Sequence, residues 1–398
     1  MRDATQLIGR LLRGTLLPRG AGPWSLRRLL VLPVFTLLFL ALQTVHWVGF
    51  LLDEIFFRDY HRVEVREPLF VVGMPRSGTS FLQRVLAEDT ERFTTLRLWE
   101  LLLAPSVTER TLWLGLGRLD GLMGRPAGRL LDGLARRGFA FMDDVHPVDF
   151  QEPEEDYFLL LPAFACFLLV LAWPEHRSLW ELARFDDLPE AVRRRLLGHY
   201  RRCLQRHLYM VGPEKRILSK NPSFTPMVRS LRETFPDAAF LGCVRDPMEA
   251  VPSLLSSLEG GAALFGWDVA EPRHRDPFVT MLRDFALRLD EDVAAMPDRA
   301  LLLPLPELSA DVPGTVRRIY GTFGWTPGPA LEAALARRAA RPPRAPSGHR
   351  YALEDFGLEP QDVRHRFREA YRRLDFAGSV AGSGEGSGPS PCVDSPTP

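Results

Sequence analysis

The sequence holds almost no lysine: of its 50 basic residues only Lys215 and Lys220 are lysine, and the rest are arginine. That bias reflects base composition rather than mechanism, but it makes each retained lysine worth locating. Net charge is lacking too. The 50 basic groups balance 50 acidic ones, so the chain has no global electrostatic footprint for nucleic acid, and no such partner is expected. Cysteine is scarce. Cys166, Cys203, Cys243 and Cys392 form no C-x-x-C pair, which excludes a zinc ribbon or a disulfide framework. The thiols are expected to stay reduced, and no metal site is expected. No G-x-x-x-x-G-K-[ST] segment occurs either, which excludes the usual ATP- or GTP-hydrolysing loop.

What is present is ordinary for a folded protein: 398 residues, 46% apolar and 25% charged. That suffices for one large core with appendages. Residues 1–28 carry six arginines against one aspartate. Residues 29–52 are then apolar apart from Thr36, Gln43, Thr44 and His46, a run long enough to cross a bilayer. It starts too far into the chain, and lacks the small-residue cleavage site, for a signal peptide. A basic-flanked span would leave the N-terminus cytoplasmic; a helix lying in the interface or packed on the body also fits. Membrane association is expected, with topology and side left open.

The chain is organised around residues 69–86, LFVVGMPRSGTSFLQRVL. A short apolar run ends at Gly73, a polar turn MPRSGTS follows, and an apolar-periodic segment begins at Phe81. This is the pattern strand, anion-binding loop, helix. Gly73 and Gly78 let the backbone curl so that successive N–H groups point inward. The helix beginning near Thr79 adds its positive end. Alone, such a stretch is weakly specific, and Arg76 in it could be an ordinary surface charge.

Further along, RILSKNP (216–222) reads as a strand ending in a polar turn, with a helix at 224–235 before Pro236. AAFLGCV (238–244) reads as an apolar strand running directly into RDPMEAVPS (245–253). Strand, turn and helix thus recur three times, which predicts a mainly parallel α/β sheet. Helices are expected at 96–105, 189–211, 280–290 and 311–323. One or two are expected within 111–142, and a terminal amphipathic helix follows HRYALEDFGL. The acidic stretch 143–156 reads as a solvated loop. The apolar run 157–173 is too short to span and reads as a buried helix or a pocket wall. The Gly-, Ser- and Pro-rich tail is expected to be disordered. The division is a basic segment 1–28, a hydrophobic helix 29–57, a catalytic domain 62–376 and a tail 377–398.

Three pieces, GMPRSGTS, LSKNPSFT and FLGCV–RDPMEAVPS, together resemble the PAPS-dependent sulfotransferases. The resemblance is to the branch of bacterial sulfotransferase-family proteins and, more distantly, to tyrosylprotein sulfotransferases. It covers most of residues 69–255. It implies a P-loop-like α/β fold with a central parallel sheet flanked by helices. It also implies 3′-phosphoadenosine 5′-phosphosulfate (PAPS) as co-substrate, without metal. By that resemblance the 5′-phosphosulfate lies in the loop of Arg76, Ser77, Gly78, Thr79 and Ser80, and the 3′-phosphate is held by Arg245 and Ser253.

Elementary chemistry agrees. Sulfuryl transfer, like phosphoryl transfer, rests on positioning and charge stabilisation. The transferred SO₃ group carries less charge than a phosphoryl, so arginine and backbone N–H groups can stand in for magnesium. Arg76 has a rigid fork suited to the bridging oxygen where leaving-group charge grows. Arg245 and Lys220 both follow strands, where open α/β sheets bind ligands, and Lys220 is assigned to stabilising the sulfuryl group. An acceptor hydroxyl must also lose a proton. Some sulfotransferases use a glutamate about two dozen residues after the loop; by that resemblance Glu100, whose apolar neighbours Trp99 and Leu101 could raise its pKa, is preferred as base over His146, Glu155 and Asp156, although spacing alone does not decide among them. Arg245 with Asp246 as a structural ion pair, Lys220 as a solvated turn residue and Tyr351 as core packing are the competing bland readings. The apolar stretches predict a hydrophobic, lipid-like hydroxyl acceptor. A nucleotide-dependent kinase and a non-catalytic membrane scaffold are the rival functions.

Overall fold

The computed structural model describes residues 26–124, 150–340 and 352–376. His146, Tyr351, Cys392, the Gly/Ser tail and most of the basic N-terminal segment lie outside the described residues.

Five strands form one sheet: β1 Leu69–Gly73, β2 Phe93–Thr94, β3 Arg216–Lys220, β4 Ala239–Val244 and β5 Ala300–Pro304. Their order is β2-β3-β1-β4-β5 and every pairing is parallel. All of β1 and β4 is buried, as continuous apolar runs in a doubly covered parallel sheet require. Alternate residues feed two cores. Phe70, Val72, Phe240 and Val244 enter the larger one; Leu69, Val71, Leu241 and Cys243 enter the other. That two-residue period is the pleat of the strands.

Thirteen α-helices of six residues or more occur among the described residues. Five of them are α1 Leu26–Phe56, α2 Thr79–Leu86, α3 Leu98–Leu103, α4 Val107–Leu122 and α5 Glu190–Val211. Five more are α6 Val228–Thr234, α7 Pro247–Leu264, α8 Pro272–Ala294, α9 Val312–Thr322 and α10 Pro329–Ala339. α2, α9 and α10 cover the smaller core; α5, α7 and α8 cover the larger. The expected helix at 224–235 splits into a 3₁₀ turn, Pro222–Met227, and α6.

The apolar run 157–173 is buried, as expected, but it is not an α-helix. It folds as two 3₁₀ helices, Asp156–Ala163 and Phe167–Leu171, inside the larger core. Pro162 supplies no N–H for an α-helical ladder. Phe164 then takes a left-handed φ of 54° and turns the chain.

α1 faces inward with Leu32, Thr36, Phe39, Gln43, His46, Gly49 and Asp53. Its tie to the body is polar. Buried Asp53 accepts from the Val107 and Thr108 N–H groups (3.0 and 2.8 Å), so it caps α4. The same carboxylate pairs with buried Arg206 of α5 at 2.7 Å. His46 Nδ1 lies 2.6 Å from Glu109.

Candidate active site

The strand order reverses direction at β1, so a crevice opens at the carboxyl ends of β1 and its neighbours, where open α/β sheets take ligands. The local backbone there admits few alternatives. Gly73 has φ 153°, and a Cβ on it would sit 2.4 Å from the Cys243 carbonyl oxygen. The Met74 N–H donates to that oxygen at 2.9 Å. Thr225 pins the strand end: its Oγ1 accepts from the Gly73 N–H at 2.9 Å and donates to the Gly73 carbonyl at 2.8 Å. Within the turn, the Ser77 hydroxyl donates to the Met74 carbonyl at 2.6 Å. Arg76 then adopts φ 68°, a left-handed conformation that a side chain disfavours. Gly78, at φ 87°, is the N-cap of α2, and a Cβ there would meet Leu305 at 2.7 Å. No side chain caps α2, so its first-turn N–H groups lack intrahelical acceptors and face the crevice with the positive end of the helix.

Three of the expected groups converge on this turn. Arg76 Nε donates to the Ser253 hydroxyl at 3.1 Å. Arg245, one residue beyond β4, donates through Nη1 to the Arg76 carbonyl at 3.2 Å. Its Nε and Nη2 both donate to Glu249, at 3.0 and 2.9 Å. Asp246 caps α7 by accepting from the Met248 N–H at 2.9 Å. It is therefore a helix cap, and the carboxylate beside Arg245 is Glu249 instead. α7 brings Ser253 back over the loop.

Lys220 ends β3, in register with Val71 of β1. Its buried ammonium lies 3.1 Å from Glu155 and 3.4 Å from Glu154. Burial works against its charge, but the two carboxylates outweigh burial and leave its pKa raised. Asp156, beside them, accepts from the Ser219 hydroxyl at 2.9 Å and also from Tyr200 and Asn221. Complete burial pushes its pKa up to about 7 against those donors and Lys220.

Glu100 sits in a third cluster, where α3, α4 and α5 meet. One carboxylate oxygen accepts from the Arg97 N–H at 2.8 Å, and the other pairs with buried Arg110. Arg110 also reaches His207 Nδ1 at 3.1 Å. Burial lowers the Arg110 pKa to about 10. Burial, then the Arg110 charge, pushes His207 well below its usual range. A small cavity lies against Glu100, Arg110, Cys203 and His207. Among the described residues no group of three or more His, Cys, Asp or Glu side chains is arranged to hold a metal.

Sequence reasoning passed over Thr225, Glu154 and Glu249. Thr225 lies within the segment LSKNPSFT, but only the folded register shows that its hydroxyl faces Gly73. The two glutamates belong to acidic or helical stretches that read as solvated.

The chain is thus a parallel α/β protein with two arginines and a helix start that its N-cap side chain leaves uncapped gathered at the carboxyl ends of its central strands. The chain belongs to the sulfotransferase family, whose sequence pattern matches residues 68–327. It is 28% identical over 264 residues to the omega-hydroxy-beta-dihydromenaquinone-9 sulfotransferase Stf3 of Mycobacterium tuberculosis, and equally to that of Mycobacterium bovis. Those matches cover 65% of this chain and 62% of each relative. Among solved structures, sulfotransferase STF1 from Mycobacterium tuberculosis superposes with a TM-score of 0.70 at 22% identity, covering 92% of both chains. Sulfotransferase STF9 from Mycobacterium avium gives 0.63 at 22% identity, covering 82% of this chain and 81% of its own. At that identity the two structures speak for the fold.

Proposed function

We propose that this protein transfers a sulfuryl group from PAPS to a hydroxyl of a hydrophobic, lipid-like acceptor, in association with a membrane. One observation carries the reading: Arg76, Arg245 and Ser253, from segments up to 177 residues apart, meet at the start of α2. Two guanidinium groups, a hydroxyl and a set of helix-terminal N–H groups suit the two anionic ends of PAPS. PAPS brings the activated sulfuryl group and a good leaving group.

The β1–α2 turn acts as a P-loop-like cradle. The Ser77, Gly78, Thr79 and Ser80 segment holds the 5′-phosphosulfate, and Arg76 neutralises charge growing on the bridging oxygen. Arg245 and Ser253 hold the 3′-phosphate. Lys220, one strand over, stabilises the sulfuryl oxygens in flight. Glu100 is the base, with both its oxygens held in place by Arg97 and Arg110. Glu155 is the rival, because its carboxylate adjoins Lys220. The lipid-like acceptor follows from the apolar α1 surface, and the sulfated menaquinone named for the 28%-identical relative is in keeping with it.

The kinase and scaffold readings find no support in the family match. The test is incubation with radiolabelled PAPS and a lipid extract, followed by recovery of a labelled product. Glu100→Gln and Glu155→Gln, assayed alongside, separate the two bases. The true one loses turnover while retaining affinity for 3′,5′-ADP. Tighter binding of ATP–Mg than of 3′,5′-ADP would overturn the assignment.

A further inference from the structure

The long N-terminal helix is inside out. Four of its polar residues, Thr36, Gln43, His46 and Asp53, are 0–4% exposed against the body, whereas Thr44 faces outward and satisfies its hydroxyl by donating to the Leu40 carbonyl at 2.8 Å. Its outer face is apolar, with Leu30, Val34, Leu37, Leu38 and Leu51 between 57% and 69% exposed. Residues 29–52 contain no charged side chain. α4 continues the same character. Beyond Arg110 it presents Leu112, Leu116, Leu119 and Leu122, 46–86% exposed. Among the described residues, no atom beyond the glycine's own stretch of α4 lies within 4 Å of where a Cβ on Gly115, Gly117 or Gly121 would sit. Of the 22 large apolar side chains exposed among the described residues, 12 lie on α1 and six on α4. Asp53 and His46 bind the start of α4 to α1, so the two helices share one edge of the molecule. A soluble monomer does not leave so large a contiguous apolar face to water.

We infer that α1 and the outer half of α4 together dock onto an anionic lipid bilayer, with α1 lying in the membrane plane rather than crossing it. Packing dictates the orientation. The body holds α1 from Leu32 to Asp53, a length of about 32 Å at 1.5 Å per residue. That equals the bilayer's hydrocarbon thickness of about 30 Å. A spanning α1 would draw its packing partners, Phe164, Trp173 and Phe265, and the charged body behind them into hydrocarbon. A spanning α1 that detached would strand Asp53 and His46 there and leave Arg206 without its acceptor. Lying flat, the helix wets only its apolar face with lipid.

Charge complementarity selects a bilayer over a second copy of the chain. The six arginines against one aspartate in residues 1–28 immediately precede the apolar face and suit anionic headgroups. Trp47 and Trp113, 39% and 40% exposed, are of the residue type enriched at membrane interfaces. The arrangement also serves the sulfuryl-transfer reading, on which this inference rests only for its benefit to the acceptor. α1 packs on Phe265 at the end of α7, which carries Ser253, and on the 3₁₀ helix that begins at Asp156.

The full chain is tested by sedimentation with phosphatidylcholine vesicles and with vesicles also containing phosphatidylglycerol. The wild type should partition onto the anionic vesicles and lose affinity as salt rises. Leu37→Glu with Leu116→Glu should reduce partitioning about tenfold or more, with 3′,5′-ADP affinity unchanged. Nitroxides at Leu30→Cys, Leu37→Cys and Leu51→Cys, in a Cys392→Ser background, should report one common depth. Depths graded across the bilayer, equal partitioning of wild type and variant, or a concentration-dependent dimer that the two substitutions abolish would each overturn the inference. A chain that binds vesicles but not 3′,5′-ADP would refute the sulfuryl-transfer reading and leave the docking surface standing.

Discussion

Replacing Arg76 separates its two roles, because its backbone and its guanidinium are under opposite demands. At φ 68° a side chain costs about 1–2 kcal/mol relative to the right-handed region. Arg76→Gly removes that cost. It also adds about 0.5–1 kcal/mol of unfolded-chain entropy and deletes the 3.1 Å bond to Ser253, worth about 0.5–1.5 kcal/mol. The three nearly cancel, so Arg76→Gly should unfold within about 1 kcal/mol of the wild type. Arg76→Ala keeps the disfavoured φ and loses the same bond, so it should be the less stable of the two by about 0.5–1 kcal/mol. Turnover should not follow that order. Both variants lose the cation proposed to lie beside the leaving-group oxygen and should drop in kcat by about 10²–10³-fold. Urea denaturation gives the stabilities, and release of 3′,5′-ADP from PAPS in the presence of acceptor gives kcat. Turnover within tenfold of wild type would refute the role of the guanidinium. A glycine variant clearly less stable than the alanine one would refute the reading of the backbone.

Three further outcomes are expected. Arg245→Ala should weaken 3′,5′-ADP by about 10- to 150-fold, the loss of one charged hydrogen-bonding partner, and leave 5′-AMP affinity unchanged; an equal loss for both ligands by calorimetry would remove Arg245 from the 3′-phosphate. The folded-state pKa of Asp156, about 7, lies above its unfolded value near 3.9. Its stabilising contribution is therefore present below about pH 4 and lost as pH rises through about 7. That amounts to about 2–3 kcal/mol between pH 5 and pH 8, and Asp156→Asn should flatten this slope in denaturation midpoints; an unchanged slope would refute it. Asp53→Ala leaves buried Arg206 with Glu54 alone, at 3.1 Å, strips the Val107 and Thr108 N–H groups of their acceptor, and should cost about 2–4 kcal/mol. Less than 1 kcal/mol by urea melt would show that α1 is held by its aromatic contacts alone.

β1, β3 and β4 were legible because each is an apolar run ending in a polar turn, and those turns carry Arg76, Lys220 and Arg245. β2 and β5 were not. β2 is two residues long, and ALLLP in β5 is too short for periodicity to tell strand from helix. The run 157–173 announced its burial but not its conformation, which depends on Pro162 and on the turn at Phe164. The residues proposed to face the anion could be named from the resemblance, yet the Arg76–Ser253 bond needs α7 folded back over the loop. Glu100 was preferred on the resemblance, spacing alone leaving the choice of base open, and its pairing with Arg110 depends on how α4 leaves Ser106. In α1, Thr36, Gln43, Thr44 and His46 were visible as interruptions of the apolar run and Asp53 lies one residue past it; only the packed structure shows that Thr36, Gln43, His46 and Asp53 face the protein while Thr44 faces out.

The Asp53 hub has a consequence for synthesis. Its partner Arg206 lies 153 residues downstream. At roughly 5–20 residues per second, the ribosome takes about 8–30 s to deliver it after Asp53 has been added. For that interval the nascent apolar helix has neither its ion-pair partner nor its covering core. It is available to chaperones or to lipid long before the chain can fold, so cells short of either should accumulate aggregated chains rather than soluble, inactive ones.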